Sequence, residues 1–98
     1  IYLSEQLAAL AHVTRLRVVK ELLAEPDGVP AGKLASRQNM RQNSLSPHLA
    51  SLARNNLISG VRTGREVIYA AHVRNLSVLA HRLHAARTAL GRDPRALH

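Results

Sequence analysis

Leu3, Leu7 and Leu10 recur at helical spacing, which predicts a first helix over residues 2 to 11. His12-Val13 breaks the period, and Thr14 suits the N-cap of a second helix. Within it Leu16, Val19, Leu22 and Leu23 read as the buried stripe, surrounded by Arg15, Arg17 and Lys20. Pro26-Asp27-Gly28 is turn chemistry and ends that helix near Ala24. Pro30 fits the first turn of a third helix, where its missing N–H costs nothing. Leu34 and Ala35 supply that helix's buried face, Gln38-Asn39 closes it, and Met40 anchors the turn that follows. Leu45, Leu49 and Leu52 then mark the inner face of a fourth helix, whose outer face and N-terminal end carry Arg41, Gln42, Asn43, Ser44, Ser51 and Arg54.

Asn55-Asn56 stops the helical period. Residues 57 to 62 and 67 to 71 can each form a strand around Thr63-Gly64-Arg65-Glu66, giving a hairpin with a basic tip. A last helix, about residues 73 to 90, carries Leu76, Leu79, Leu83 and Leu90 on one side and ends at Gly91 and Pro94. The order α-α-α-α-β-β-α is mainly helical. Two short helices joined by a tight turn and followed by a basic hairpin form the winged helix-turn-helix pattern. Residues 1–90 are expected to be one DNA-binding and dimerisation domain, with 91–98 a flexible tail. The chain begins at Ile1 rather than Met, so its natural ends are expected to lie further out.

Charge sharpens this picture. The 98 residues carry a formal charge of +8, with arginine far outnumbering lysine. From Gly28 to Arg65 there is no Asp or Glu, yet Lys33, Arg37, Arg41, Arg54, Arg62 and Arg65 all fall there. A merely solvated surface mixes its signs, so this segment looks built to face phosphates. Tyr2 and Tyr69 are the only Tyr, Phe or Trp residues, too few for the aromatic platforms on which single-stranded nucleic acids stack. Duplex DNA is the better partner. No apolar run approaches the roughly 20 residues of a membrane span, and no signal-peptide pattern appears, so a cytoplasmic protein is expected.

The densest chemistry lies in Met40-Arg41-Gln42-Asn43-Ser44-Leu45-Ser46-Pro47-His48-Leu49. Short amides and hydroxyls at a helix N-terminus reach base edges and phosphates in a major groove; Gln42 and Asn43 suit adenine, and Ser44 and Ser46 suit phosphates or bases. Catalysis finds no support. Ser46 and His48 point to different helix faces, and no paired carboxylates, phosphate-cradling loop or cofactor fingerprint appear, so no cofactor is expected. His48 is expected to pack or hydrogen-bond inside the domain.

These segments resemble the ArsR/SmtB family of repressors. Leu7-Ala8-Ala9-Leu10-Ala11-His12-Val13-Thr14-Arg15-Leu16-Arg17 is similar to the family's opening motif, and Ser44-Leu45-Ser46-Pro47-His48-Leu49 to its recognition-helix core. Residues 28–35 resemble the segment of an arsenic-responsive branch, and Gly64-Arg65-Glu66-Val67-Ile68-Tyr69 resembles the wing. The likeness spans about residues 5 to 85. It implies a homodimer through the first and last helices, with Leu3, Leu7, Leu79 and Leu83 in the interface. It also implies repression at an inverted-repeat operator, relieved by an effector. Lys33, Arg37, Arg54, Arg62 and Arg65 would neutralise phosphates, while Arg41, Gln42, Asn43, Ser44 and Ser46 would face the groove.

The departures concern sensing and capping. The family's thiolate box falls on Pro30, Ala31 and Gly32, none of them a metal ligand, and the chain has no cysteine at all. Another family site uses imidazoles on paired last helices. His81 and His84 have zinc-compatible spacing and His72 stands nearby, but the accompanying Asp is missing and His72 is too close, so no metal site is assigned. Pro47 in a helix interior deletes the bond to the Asn43 carbonyl and predicts a start at residue 43 or 44, or a kink. A winged-helix module that binds proteins without reading DNA is the alternative, opposed by the acid-free stretch. A basic membrane-surface helix lacks the apolar and aromatic anchors it would need.

Overall fold

In a computed structural model that describes residues 3–91, the elements run α1 (Leu3–Leu10), α2 (Val13–Ala24), β1 (Val29–Pro30), α3 (Ala31–Arg37), α4 (Gln42–Arg54), β2 (Ile58–Thr63), β3 (Glu66–Ala71) and α5 (Val73–Gly91). The expected order holds, with one addition. Val29 and Pro30 pair antiparallel with Tyr69 and Ile68, making a sheet of order β1-β3-β2. Two residues are too short to leave a period in the sequence. Pro30 is consequently the N-cap of α3 in an extended conformation, rather than a residue of its first turn.

The core joins Val18, Val19 and Leu22 of α2, Leu34 of α3, Leu45, Leu49 and Leu52 of α4, Leu57-Ile58 at the start of the wing, and Leu79 of α5. The stripe expected on α2 is displaced. Leu16 and Leu23 are about half exposed (52% and 49%), while Val18 is fully covered. The buried face runs Arg15-Val18-Val19-Leu22, which is i, i+3, i+4, i+7 and begins with an arginine. The α2 cap also differs. His12 is the N-cap, its Nδ1 accepting the Thr14 amide at 3.2 Å.

The turns behave as their residues predict. Asn39 (φ 53°) and Asn56 (φ 56°) take the left-handed conformation just beyond α3 and α4, which asparagine tolerates better than most residues. Met40 turns the chain back by donating its amide to the Ala35 carbonyl at 2.9 Å. Helix α4 begins at Gln42 and continues through Pro47, so neither of the later starts is adopted. Residues 92–98, including Pro94 and most of the expected tail, lie outside the described residues, as does the side chain of Leu90.

Candidate nucleic-acid interface

Helix α4 is held by one face. Leu45, Leu49 and Leu52 are at most 1% exposed, whereas Arg41, Gln42, Asn43, Ser44, Ser46 and Pro47 are all exposed. The tight turn from α3 delivers Arg41 as an N-cap with no side-chain cap bond. Amides in the first turn of α4 therefore lack a side-chain cap, leaving the positive end of the helix dipole facing outward. Ser46 Oγ donates to the Gln42 carbonyl at 2.9 Å, so its proton is spent within the helix and its lone pairs remain. The Gln42 side-chain oxygen lies 3.4 Å from the place a Cβ would occupy at Gly32, so the carboxamide leans over the start of α3.

The wing is a regular hairpin. Its strands pair from Ile58↔Ala71 to Thr63↔Glu66, leaving Gly64-Arg65 as a two-residue turn. Gly64 has φ +64°, the sign a type II′ turn requires at its first central residue, and a Cβ there would meet nothing. Arg62 and Arg65 are exposed at this tip and take part in no ion pair among the described residues.

The other basic residues separate. Arg37 is clasped by the Glu25 carboxylate through both terminal nitrogens and lies 3.6 Å from Glu21. That hydrogen bond pulls the Glu25 pKa down and the Arg37 pKa up. Arg37 is thus exposed but paired, its charge partly offset by these carboxylates. The acid-free stretch is acid-free only along the chain, because α2 brings carboxylates to it. Lys33 is exposed but also lies within the field of Glu25. Arg54 ends α4, about 18 Å along the helix from Gln42. There it lines a cleft with Glu5, Ala8, Ala9, Arg15, Ser51 and Asn55.

His48 is half-buried and accepts from Arg15, so it is not paired with Ser46. His72 caps α5, its Nδ1 accepting the Asn75 amide at 3.3 Å, and among the described residues no three potential ligands gather for a metal. Leu3 and Leu7 are partly buried against the core, and Leu83 is 40% exposed. Leu79 is 3% exposed within its own protomer, which leaves it almost no area to give a second copy and corrects its placement in the interface. Sequence reasoning missed the contribution of His12 and Arg15 at the rear of α4. The i, i+3, i+4 spacing of Arg15 with Val18 and Val19 carried that signal.

No helix among the described residues is long and apolar enough to cross a membrane. The helix-turn-helix domain family matches residues 10–61. A comparison with curated proteins returned no match. Among solved structures, HlyU from Vibrio cholerae N16961 is 32% identical, with 84% of this chain and 90% of that one covered and a TM-score of 0.67. An ArsR-like transcriptional regulator from Rhodococcus sp. RHA1 is 28% identical over 97% of this chain and 88% of that one, with a TM-score of 0.73. The homodimeric winged helix-turn-helix DNA-binding domain of Mb0332 from Mycobacterium bovis shares the fold at 20% identity, covering 93% of this chain and 83% of that one, with a TM-score of 0.70. The architecture, the outward-facing α4 and these similarities agree: the chain belongs to the ArsR/SmtB family of winged helix-turn-helix, DNA-binding transcriptional regulators.

Proposed function

We propose that this regulator is a cytoplasmic homodimeric repressor that reads an inverted-repeat duplex operator and is released from it by an effector. The observation that carries the reading is the exposed N-terminal turn of α4. Arg41, Gln42, Asn43, Ser44 and Ser46 stand there together, anchored from behind by three buried leucines. A helix so presented fits a major groove, with amides and hydroxyls at base edges and the dipole toward phosphate. Arg62 and Arg65 at the wing tip then meet the neighbouring backbone or minor groove, and Lys33 adds to the phosphate contacts. Arg54, at the far end of α4, is a peripheral contact.

The dimer uses α1 and α5. The leucine stripe of α5 is covered at Leu79 and uncovered at Leu83, and Val73 and Val78 are also exposed. A second copy covering this helix would place two α4 helices about one duplex turn apart. The deciding experiment is binding to duplex DNA as a function of salt. Each phosphate neutralised contributes a slope near −0.9 on logarithmic axes, about 0.9 lost for each wing arginine that truly contacts phosphate. An unchanged slope in an Arg62→Ala/Arg65→Ala variant would remove the wing from the interface.

A further inference from the structure

Behind α4, a single side chain joins three helices. Arg15 of α2 donates its Nε–H to Nδ1 of His48 in α4 at 3.1 Å, and a terminal nitrogen to the carbonyl of Ala9 in α1 at 3.3 Å. His12 closes the group from the other side, its ring centroid 4.4 Å from that of His48 and tilted by 44°. Its own Nδ1 accepts the Thr14 amide and caps α2. Both imidazoles therefore work as acceptors through Nδ1, which a protonated ring cannot do. Protonation of His48 would set two donors against each other beside a fixed guanidinium, and protonation of His12 would uncap α2.

The surroundings offer no relief. From α2 the facing groups are His12 and Arg15 themselves. From α1 and α4, Glu5 and Arg54 line the cleft beside Arg15, yet neither Glu5 nor any other carboxylate among the described residues is within ion-pair reach of the cluster. Desolvation, then the nearby His12 and Arg15, lowers the His48 pKa below its ordinary value.

We propose that Arg15, His48 and His12 are positioning residues that hold α4 at its DNA-reading angle only while both imidazoles are neutral, so that acid weakens sequence-specific DNA recognition. This inference rests on the DNA-binding reading above. Its sign is diagnostic. Acidification makes a chain with six histidines more cationic and so tightens non-specific binding, whereas loss of the cluster loosens specific binding.

The test uses the full chain and a duplex selected from a random library at neutral pH, with the ratio of selected to scrambled-duplex affinity measured at neutral pH and at a pH below the ordinary histidine range, where the fold is verified to persist. The ratio is expected to fall about tenfold, toward the low side of common coupling strengths. A His12→Asn/His48→Gln variant keeps an N-cap acceptor and an acceptor for Arg15 but cannot titrate, so its ratio is expected to stay flat. A wild-type ratio that does not change with pH would overturn the inference, as would a fall of equal size in a folded double variant. An NMR pH titration separates this from the DNA reading. Amides of Gln42 and Asn43, more than a helical turn from His48, that move with its ring uphold the cluster even if no duplex is selected, and amides there that stay still while His48 titrates overturn it.

Discussion

The Arg37 guanidinium is paired with the Glu25 carboxylate across the junction of α2 and α3, which offsets its charge at the surface. The pair is exposed, so its worth to folding is small and falls with salt. Arg37→Ala is expected to leave the salt slope of duplex binding unchanged and to lower Tm only slightly. Because Glu25 has its pKa depressed in the folded state, the pair stabilises above the ordinary glutamate range. That contribution is lost as pH falls through the folded value. A wild-type-minus-Arg37→Ala difference in Tm that grew on acidification would contradict this assignment.

Gly28 occupies a position that no other residue fills without cost. Its φ is +90°, and a Cβ would lie 2.7 Å from Ile68 Cγ2 and 2.9 Å from the Tyr69 carbonyl oxygen. Both atoms belong to the strand that β1 joins. Gly28→Ala is expected to destabilise the fold by about 1–3 kcal/mol, the usual cost of a strained backbone, measured by chemical denaturation.

The last helix carries two leucines of opposite duty. Leu79 is covered within the protomer, so Leu79→Ala should cost about 2–5 kcal/mol of folding stability. Leu83 is partly exposed, so Leu83→Asp should leave stability within about 0.5 kcal/mol by circular dichroism melts on the separated protomer. The same variant should shift the sedimenting species from dimer to monomer and reduce operator binding. A wild-type chain that sediments as a monomer at micromolar concentration while binding a full operator tightly would contradict the dimer.

The legible parts of this protein were those fixed by local chemistry. The Leu45-Leu49-Leu52 stripe placed α4, the Asn39 and Asn56 stops placed the ends of α3 and α4, and Gly64 placed the wing turn. Less legible were features set by partners distant in sequence. The pairing of Val29-Pro30 with β3, the capture of Arg37 by α2 carboxylates and the burial of Leu79 all depend on how elements pack. The α2 stripe failed for a simpler reason. Arg15 is polar and its type predicts an external position, yet it stands part-buried at the start of the inward face because His48 and the Ala9 carbonyl accept two of its N–H groups there.

The central claim is that the N-terminal turn of α4 reads bases. The most direct measurement compares the affinities of Gln42→Ala and Asn43→Ala for a selected duplex and for a scrambled one at a single salt concentration. If either residue makes a bidentate base contact, its loss should cost about 1–3 kcal/mol on the selected duplex and far less on the scrambled one. Equal losses on both duplexes, or none on either, would contradict a base-reading role for α4.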